Sequence, residues 1–453
     1  MGSINDERVG GAANGRTPNS HDTARRPLAG LRVIDLTQVV SGAVTTMLMA
    51  DFGAEVIKVE PIAGEPYRSS GYAIDSEAGE TNLNILRYTR GKKSVALDLK
   101  SPEGREILRA LLADADVLVE NFRPGVLARL GFDRAAIEAL NPRIVYTTVS
   151  GFGHDDLYES PFRDRPAYAI ITEAMSGLTH LAGDGEGPPI WMGFAMADIF
   201  AGTLAFSGTL LSLLDRDNGS RRRVDVAMYD AGLLMNDLAI AAQSIAGETL
   251  GPGQYLLQSP WGPFQASDGY VVIAVLTESQ WRRLADAIGR PELGADARLS
   301  SGRKRSQHHD TLVAPAVEAW CRERTKEQVT ELLTACGVPA APVNTAQEVI
   351  DSPATAAREM LVEADNVVTG PIAVVGNPIK LGGEAGEAGG AARHIPALGE
   401  DTVQVLADVL GHDAQRIEAL LRAGVVAAPA AQTGGGNNAA RSTTRAAPAA
   451  AGR

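Results

Sequence analysis

Cysteine is nearly absent. The chain has two in 453 residues, Cys321 and Cys336. They lack CxxC spacing and have no histidine cluster nearby, so neither a disulfide framework nor a zinc site is expected, and two free thiols in a reducing compartment are. Positive charge is also short. Forty-two Lys and Arg stand against 55 Asp and Glu, a net charge of -13. Nucleic-acid binding needs clustered Lys and Arg, so no nucleic-acid partner is expected. An anionic substrate stays open, because local arginines govern a pocket. No apolar run approaches the roughly 20 residues of a spanning helix, so no membrane partner is expected. The opening "MGSINDERVGGAANGRTPNSHDTARR" lacks the apolar centre of a secretory signal, and Arg25–Arg26 without that centre is no twin-arginine signal. A cytoplasmic location is the expectation.

Several catalytic signatures are missing as well. After the first strand-like segment the chain reads "QVVSGAVTT", with one glycine where dinucleotide binding needs GxGxxG. A nicotinamide dehydrogenase is disfavoured. GxxxxGK[ST] and HExxH do not occur. The nucleophile elbow GxSxG fails at Ser150, where Thr148 takes the place of the first glycine. The seven histidines form no ligand set, and His308–His309 falls in a charged, loop-like stretch. Surface histidines are the expectation there.

What is present is a globular composition, 45% hydrophobic and 21% charged, long enough for two domains. Residues 1–27 and 427–453 are polar or low-complexity and are expected to be disordered tails. Between them strands and helices alternate. "LRVIDLT", "EVIKVE", "SVALDL", "DVLVENF" and "RIVYTTVSGFG" read as buried strands. Ser101 and Pro102 open a helix at "PEGREILRALLADA", since proline at the first helical position loses no hydrogen bond. This rhythm predicts an α/β fold with a mostly parallel sheet. Ligands on such sheets bind at the carboxyl ends of strands, here "DLTQVVSG", "LDLKSPEG", "ENFRPG" and "VSGFG". Residues 28–228 are assigned to a large domain, 229–345 to a linker and smaller α/β domain, and 346–426 to a segment returning to the large domain.

One charge stands out. In "GFAMADIFAG" (193–202) Asp198 is the only charged residue, near the start of a long predicted helix. The helix dipole favours a carboxylate there. An unperturbed aspartate titrates at about 3.9, so ionisation at neutral pH is expected. Ala201, Gly202 and Ala205 share its face and leave room for another backbone or a ligand. Taken alone, the residue reads as a helix N-cap.

Five segments together carry a resemblance. "LRVIDLTQVVSGAVTTMLMADFGAEVIKVEP", "GKKSVALDLKSPEGREIL", "ADVLVENFRPGVLARLGF", "NPRIVYTTVSGFG" and "GPPIWMGFAMADIFAG" closely resemble family III CoA-transferases, relatives of formyl-CoA transferase and the carnitine CoA-transferases. The resemblance runs from about Leu28 to Arg422 and is weakest between 255 and 345. It implies a Rossmann-like large domain, a smaller α/β domain and an interlocked homodimer of two ring-like chains. It implies that Asp198, in a D-x-x-x-G context with Gly202, is the nucleophile that takes an acyl group from an acyl-CoA. Mixed anhydride and aspartyl-CoA thioester intermediates would follow, ending on a free carboxylic acid, with no cofactor beyond the CoA thioester itself. It places CoA against Val40, Leu97, Lys100, Asn121, Phe122, Arg123, Arg129, Arg165 and Tyr168. Arg163 and Arg165 are also candidates to hold a second carboxylate on the substrate.

There are departures from the family pattern. Pro61 and Ile62 replace an arginine after "KVE", with Arg68 as a candidate substitute. Ala169 follows Tyr168 where an acidic residue is usual, and Glu173 replaces a glutamine. "LLQSPWGPF" stands where a glycine-rich loop covers the aspartate in formyl-CoA transferase. An α-methylacyl-CoA racemase of the same superfamily would need a histidine at Tyr168, and His154–Asp155 lies too early. A catalytically silent CoA-binding protein would have no use for Asp198.

Overall fold

The computed structural model describes residues 26–154, 157–183, 185–217, 222–253, 258–382 and 394–429. The two expected tails lie almost wholly outside this set, as do Asp155 and part of "LLQSPWGPF". The central sheet has seven strands: β1 (Arg32–Asp35), β2 (Glu55–Glu60), β3 (Lys92–Leu97), β4 (Val117–Glu120), β5 (Val145–Ser150), β6 (Arg223–Ala227) and β7 (Val426–Ala427). Their order is β7-β3-β2-β1-β4-β5-β6. All neighbours are parallel except β7, which runs antiparallel to β3. Within it, 3-2-1-4-5-6 is the doubly wound dinucleotide order, whose direction reverses between β1 and β4.

The strands alternate between two covered faces, which is why they read as nearly unbroken apolar runs. Val33, Val56, Val117, Val119 and Val145 pack on one side. Ile34, Ile57, Leu97 and Leu118 pack on the other, with Ile107, Leu108, Leu111 and Leu112 of the covering helix. Among the helices that matter here are α1 (Ser41–Asp51), α2 (Pro102–Ala113), α3 (Ala169–Met175), α4 (Met196–Leu214) and α5 (Met228–Met235). Helix α2 starts as expected, the Ser101 hydroxyl accepting from Gly104 N at 2.9 Å with Pro102 in the first turn. Every residue of α1 is buried, including Ser41, Thr45, Thr46 and Asp51.

The 19 residues of α4 are apolar enough, by length and composition, to cross a membrane, contrary to the expectation that no such run exists. Their small face packs on α1 and the sheet instead, burying Ala197, Ala201, Gly202 and Ala205.

A second core forms around an antiparallel sheet of Trp261–Ala266, Gly269–Ala274 and Ala340–Pro342. Phe264, Val271, Ile273, Trp281, Leu284 and Leu333 fill it. Cys321 lies buried in this core; it and Cys336 are both free thiols, and burial pushes the Cys321 thiol up to about 11.

Candidate active site

The site begins beneath the loop that leaves β1. Asp35 is fully buried at the strand's end and accepts from Thr37 N (2.8 Å), the hydroxyls of Thr37 (2.6 Å) and Thr46 (2.7 Å), and Lys92 Nζ (2.9 Å). Burial pushes this carboxyl up, but Lys92, Lys58 and Thr37 outweigh it and hold it at about 2. Lys58 donates to Thr37 O at 2.7 Å and pairs with Glu65 at 3.2 Å. The other oxygen of Glu65 accepts from Val39 N at 2.8 Å.

Val39 needs such support. Its φ is +64°, a region β-branched residues avoid. Strain of this kind costs on the order of 1–3 kcal/mol and persists only where the surroundings over-determine the backbone. Asn121, just past β4, supplies the second clamp. Its Oδ1 accepts from Gln38 N (2.8 Å), while Nδ2 donates to Gln38 O (2.7 Å) and to Ser41 Oγ (3.1 Å). The loops after β1 and β4 are thereby locked together at the point where the sheet order reverses.

Helix α4 is brought against this loop by Gly202. A Cβ there would stand 2.2 Å from Ser41 O and 2.9 Å from Val44 Cβ. The Thr45 hydroxyl donates to Gly202 O at 2.8 Å. The small face expected to leave room for a backbone or a ligand therefore receives a backbone, that of α1. Asp198, one turn earlier, faces Ser41, whose hydroxyl is the one group pulling its pKa down.

Two expectations for Asp198 are corrected. It does not cap α4, whose N-cap position is Ala195 with no side-chain cap, Asp198 being the third helical residue. The free N–H of Ala197 is taken by Glu173 Oε1 at 3.1 Å instead, and Glu173 Oε2 accepts from Trp191 Nε1 at 3.0 Å. Nor is Asp198 fully ionised at neutral pH. Burial, and then the Glu173 carboxylate, push its pKa to about 7 despite the Ser41 hydroxyl. Desolvation outweighs the helix dipole here, because only 7% of the residue reaches solvent.

Asp198 lines a cleft of about 330 Å³ with Val39, Ser41, Asn121, Phe122, Arg123, Arg163, Arg165 and Tyr168. The Arg165 guanidinium stacks on Phe162, 3.9 Å from the ring centre. Five of the expected CoA-binding residues are thus brought to one opening with Asp198: Asn121, Phe122, Arg123, Arg165 and Tyr168. Four are not. Val40 is buried between two residues that do line the cleft. Leu97 pairs with Val426 and sits in the core, 1% exposed. Lys100 and Arg129 are exposed at the carboxyl edge, away from this lining. Arg68 does not replace the missing arginine after β2, since Glu60 holds it by two bonds of 2.7 and 2.8 Å.

Ser41 and Val39 escaped sequence reasoning; the one available signal was their place in the loop after the first strand. Glu120 was missed too. It closes β4 beside a smaller recess shared with Arg123, Arg163, His154 and Arg223. Burial pushes its carboxyl to about 7, although Phe122 N and the Tyr146 hydroxyl both donate to it.

The fold and the site together define a doubly wound α/β protein with an arginine-bearing cleft at its switch point and one buried carboxyl inside it. The comparisons with known proteins narrow this class. Residues 28–402 match the model of CoA-transferase family III. The chain is 35% identical over 397 residues to the succinyl-CoA–L-malate CoA-transferase beta subunit of Chloroflexus aurantiacus, covering 86% of this chain and 95% of that protein. It is 31% identical to the succinyl-CoA:glutarate CoA-transferase of Mus musculus, covering 92% and 95%. A CAIB/BAIF family protein from Brucella suis superposes with a TM-score of 0.75 at 28% identity, over 85% of this chain and all of that one. The chain belongs to CoA-transferase family III, and it is an enzyme that transfers CoA.

Proposed function

We propose that the protein moves CoA from an acyl-CoA, with succinyl-CoA the first donor to test, to a small carboxylic acid, with Asp198 as nucleophile. One observation carries this reading: Asp198 is a buried carboxyl in the switch-point cleft whose pKa lies at about 7. A carboxylate suits the exchange, because the anhydride it forms is reactive enough to pass the acyl group on.

An Asp198 oxygen attacks the thioester carbonyl, the C–S bond breaks, and CoA leaves as thiolate. The thiolate attacks Cγ of Asp198 and expels the donor acid, leaving an aspartyl-CoA thioester. The acceptor carboxylate attacks the thioester carbonyl carbon, Cγ of Asp198, giving a new anhydride and free thiolate. The thiolate then takes the acceptor's acyl group and frees Asp198. Arg123 and Arg165 suit the phosphates of CoA and Phe122 its adenine, while Asn121 and Ser41 hold the loop against which the thioester lies. Lys100 and Arg129, at the carboxyl edge, are assigned to the outer reach of the same substrate. Arg163 suits a second carboxylate on the acid, in keeping with the dicarboxylic substrates in the relatives' names. A cytoplasmic homodimer is part of the proposal. An apolar groove of about 690 Å³ between α1, α4 and the strand Gly370–Val375 supports a second copy as its cover.

The test is direct. Wild-type protein mixed with succinyl-CoA gains a mass adduct on Asp198 that hydroxylamine removes. Asp198→Asn and Asp198→Ala form no adduct and lose transfer by at least about 10³-fold, as loss of a covalent nucleophile does. Full transfer by either variant overturns the assignment.

A further inference from the structure

Glu173 is the feature of the site that family resemblance leaves unexplained. It is 2% exposed, on α3, and both its oxygens accept hydrogen bonds. One bond goes to the first turn of α4, at Ala197 N (3.1 Å). The other goes to the Trp191 indole (3.0 Å), which anchors the segment leading into α4. That segment exposes Ile190, Trp191, Met192 and Phe194. Asp198 is the residue next to the bonded Ala197. Glu173 and Asp198 thus meet at the first turn of α4, where the charge of the first acts on the second.

We propose that Glu173 is a positioning residue for the transfer: a fixed acidic neighbour that drives charge off Asp198 and onto the departing thiolate. The proposal rests on Asp198 being the nucleophile. When an Asp198 oxygen bonds to the acyl carbon and the C–S bond breaks, the single negative charge moves from Asp198 to the CoA sulfur. The acylated aspartate is neutral, so the repulsion from Glu173 is relieved in the product of that step. A glutamine at 173 keeps the shape and removes the repulsion. Asp198 then titrates lower and is a weaker nucleophile.

Other groups near Asp198 set the background. The Ser41 hydroxyl on α1 acts the opposite way, pulling the pKa down. The phenols of Tyr67 and Tyr88 lie within range of its charge, and both are raised, chiefly by burial. These are unchanged by substitution at 173.

The experiment follows the rate of adduct formation on Asp198 against pH, in single turnovers with succinyl-CoA, by mass spectrometry. Wild type is expected to reach half its plateau rate near pH 7. Glu173→Gln is expected to move that midpoint down by about one pH unit and to lower the plateau by about 10-fold. Trp191→Phe removes the tie but keeps the charge, so its midpoint stays at the wild-type value. A Glu173→Gln midpoint equal to wild type overturns the proposal, as does a Trp191→Phe midpoint that moves equally far. If Glu173→Gln does not fold, a wild-type midpoint near pH 4 overturns the proposal by itself. Adduct formation by Asp198→Asn is a different failure, since it removes the nucleophile and not the role of its neighbour.

Discussion

The carboxyl of Asp198 sits where ionisation opposes folding. Its pKa is about 7 in the folded chain against 3.8 for an unperturbed group, with burial the largest cause and Glu173 the next. The sign follows from linkage. A raised folded pKa means the folded state binds the proton more tightly than the unfolded one, so stability falls as pH rises from about 4 to about 7. Above that window the ionised side chain destabilises the fold by about 4 kcal/mol, since each pKa unit between 3.8 and about 7 is worth about 1.4 kcal/mol. Asp198→Asn cannot ionise and keeps a similar shape. It is expected to be more stable than wild type by that amount at pH 8 and to lose the advantage near pH 4. Urea unfolding at the two pH values measures the difference. An advantage that does not change with pH would remove the case for a perturbed carboxyl. The proposed nucleophile is then also a residue that destabilises the fold, as a carboxyl held out of water does and a surface aspartate does not.

At the scale of elements, the decisive contact is between α1 and α4. Gly202→Ala puts a Cβ 2.2 Å from Ser41 O, a backbone atom that cannot rotate away. The helices must part, weakening the bond from the Thr45 hydroxyl to Gly202 O. Overpacking of this kind costs about 1–3 kcal/mol. The variant is expected to melt lower than wild type and to form the Asp198 adduct at least about 10-fold more slowly, because Ser41 and the Val39 turn shift relative to the carboxyl. A variant as stable and as fast as wild type would show that the close approach is dispensable. The D-x-x-x-G pattern was legible in the sequence, since one helical turn puts Asp198 and Gly202 on one face. Its reason was not, because a sequence does not say which helix lies across that face. The strands were legible for a similar local reason: Val33, Ile34 and their partners are apolar on both sides of the pleat. Arg68 and Leu97 went the other way. Whether an arginine meets a phosphate or Glu60, and whether a leucine faces a cleft or β7, depends on partners distant in the chain. Glu173 showed only as an unusual residue, and its bond to Ala197 N appears once α3 and α4 are brought together.

At the scale of the whole molecule, the chain closes its own sheet. The outer edge of β3 presents every second N–H outward, and from Ser94 on the returning segment meets three in turn. Ser94 N donates to Asp401 Oδ2 (2.8 Å), Ala96 N to Thr402 Oγ1 (3.1 Å) and Asp98 N to Val425 O (2.9 Å). Strand β7 then lies antiparallel along the same edge, Val426 opposite Leu97. Gly399 permits the turn into this cover. Its φ is +69°, and a Cβ there would stand 2.6 Å from Ala427 O. Val425 and Val426 belong to the core that also holds Leu97, Leu108 and Leu118. Burying a valine contributes about 1.5–3 kcal/mol, so the pair accounts for roughly 3–6 kcal/mol. That is a large share of the about 5–15 kcal/mol by which a folded protein exceeds its unfolded state. A chain ending at Gly424 loses both valines and bares the end of β3, an unpaired edge that recruits other strands. It is expected to unfold at a clearly lower urea concentration than the full chain and to aggregate on warming. Val426→Lys at full length should move the midpoint in the same direction by less, since it keeps the backbone pairing. Because β3 lies two strands from β1, the switch-point cleft feels this loss only through stability. Below the unfolding transition and at saturating succinyl-CoA, which offsets any shift of Lys100 beside the bared end of β3, the truncated chain should therefore retain its rate of adduct formation on Asp198, and a truncation that slowed the adduct step in the still-folded, saturated protein would contradict this division between edge and site.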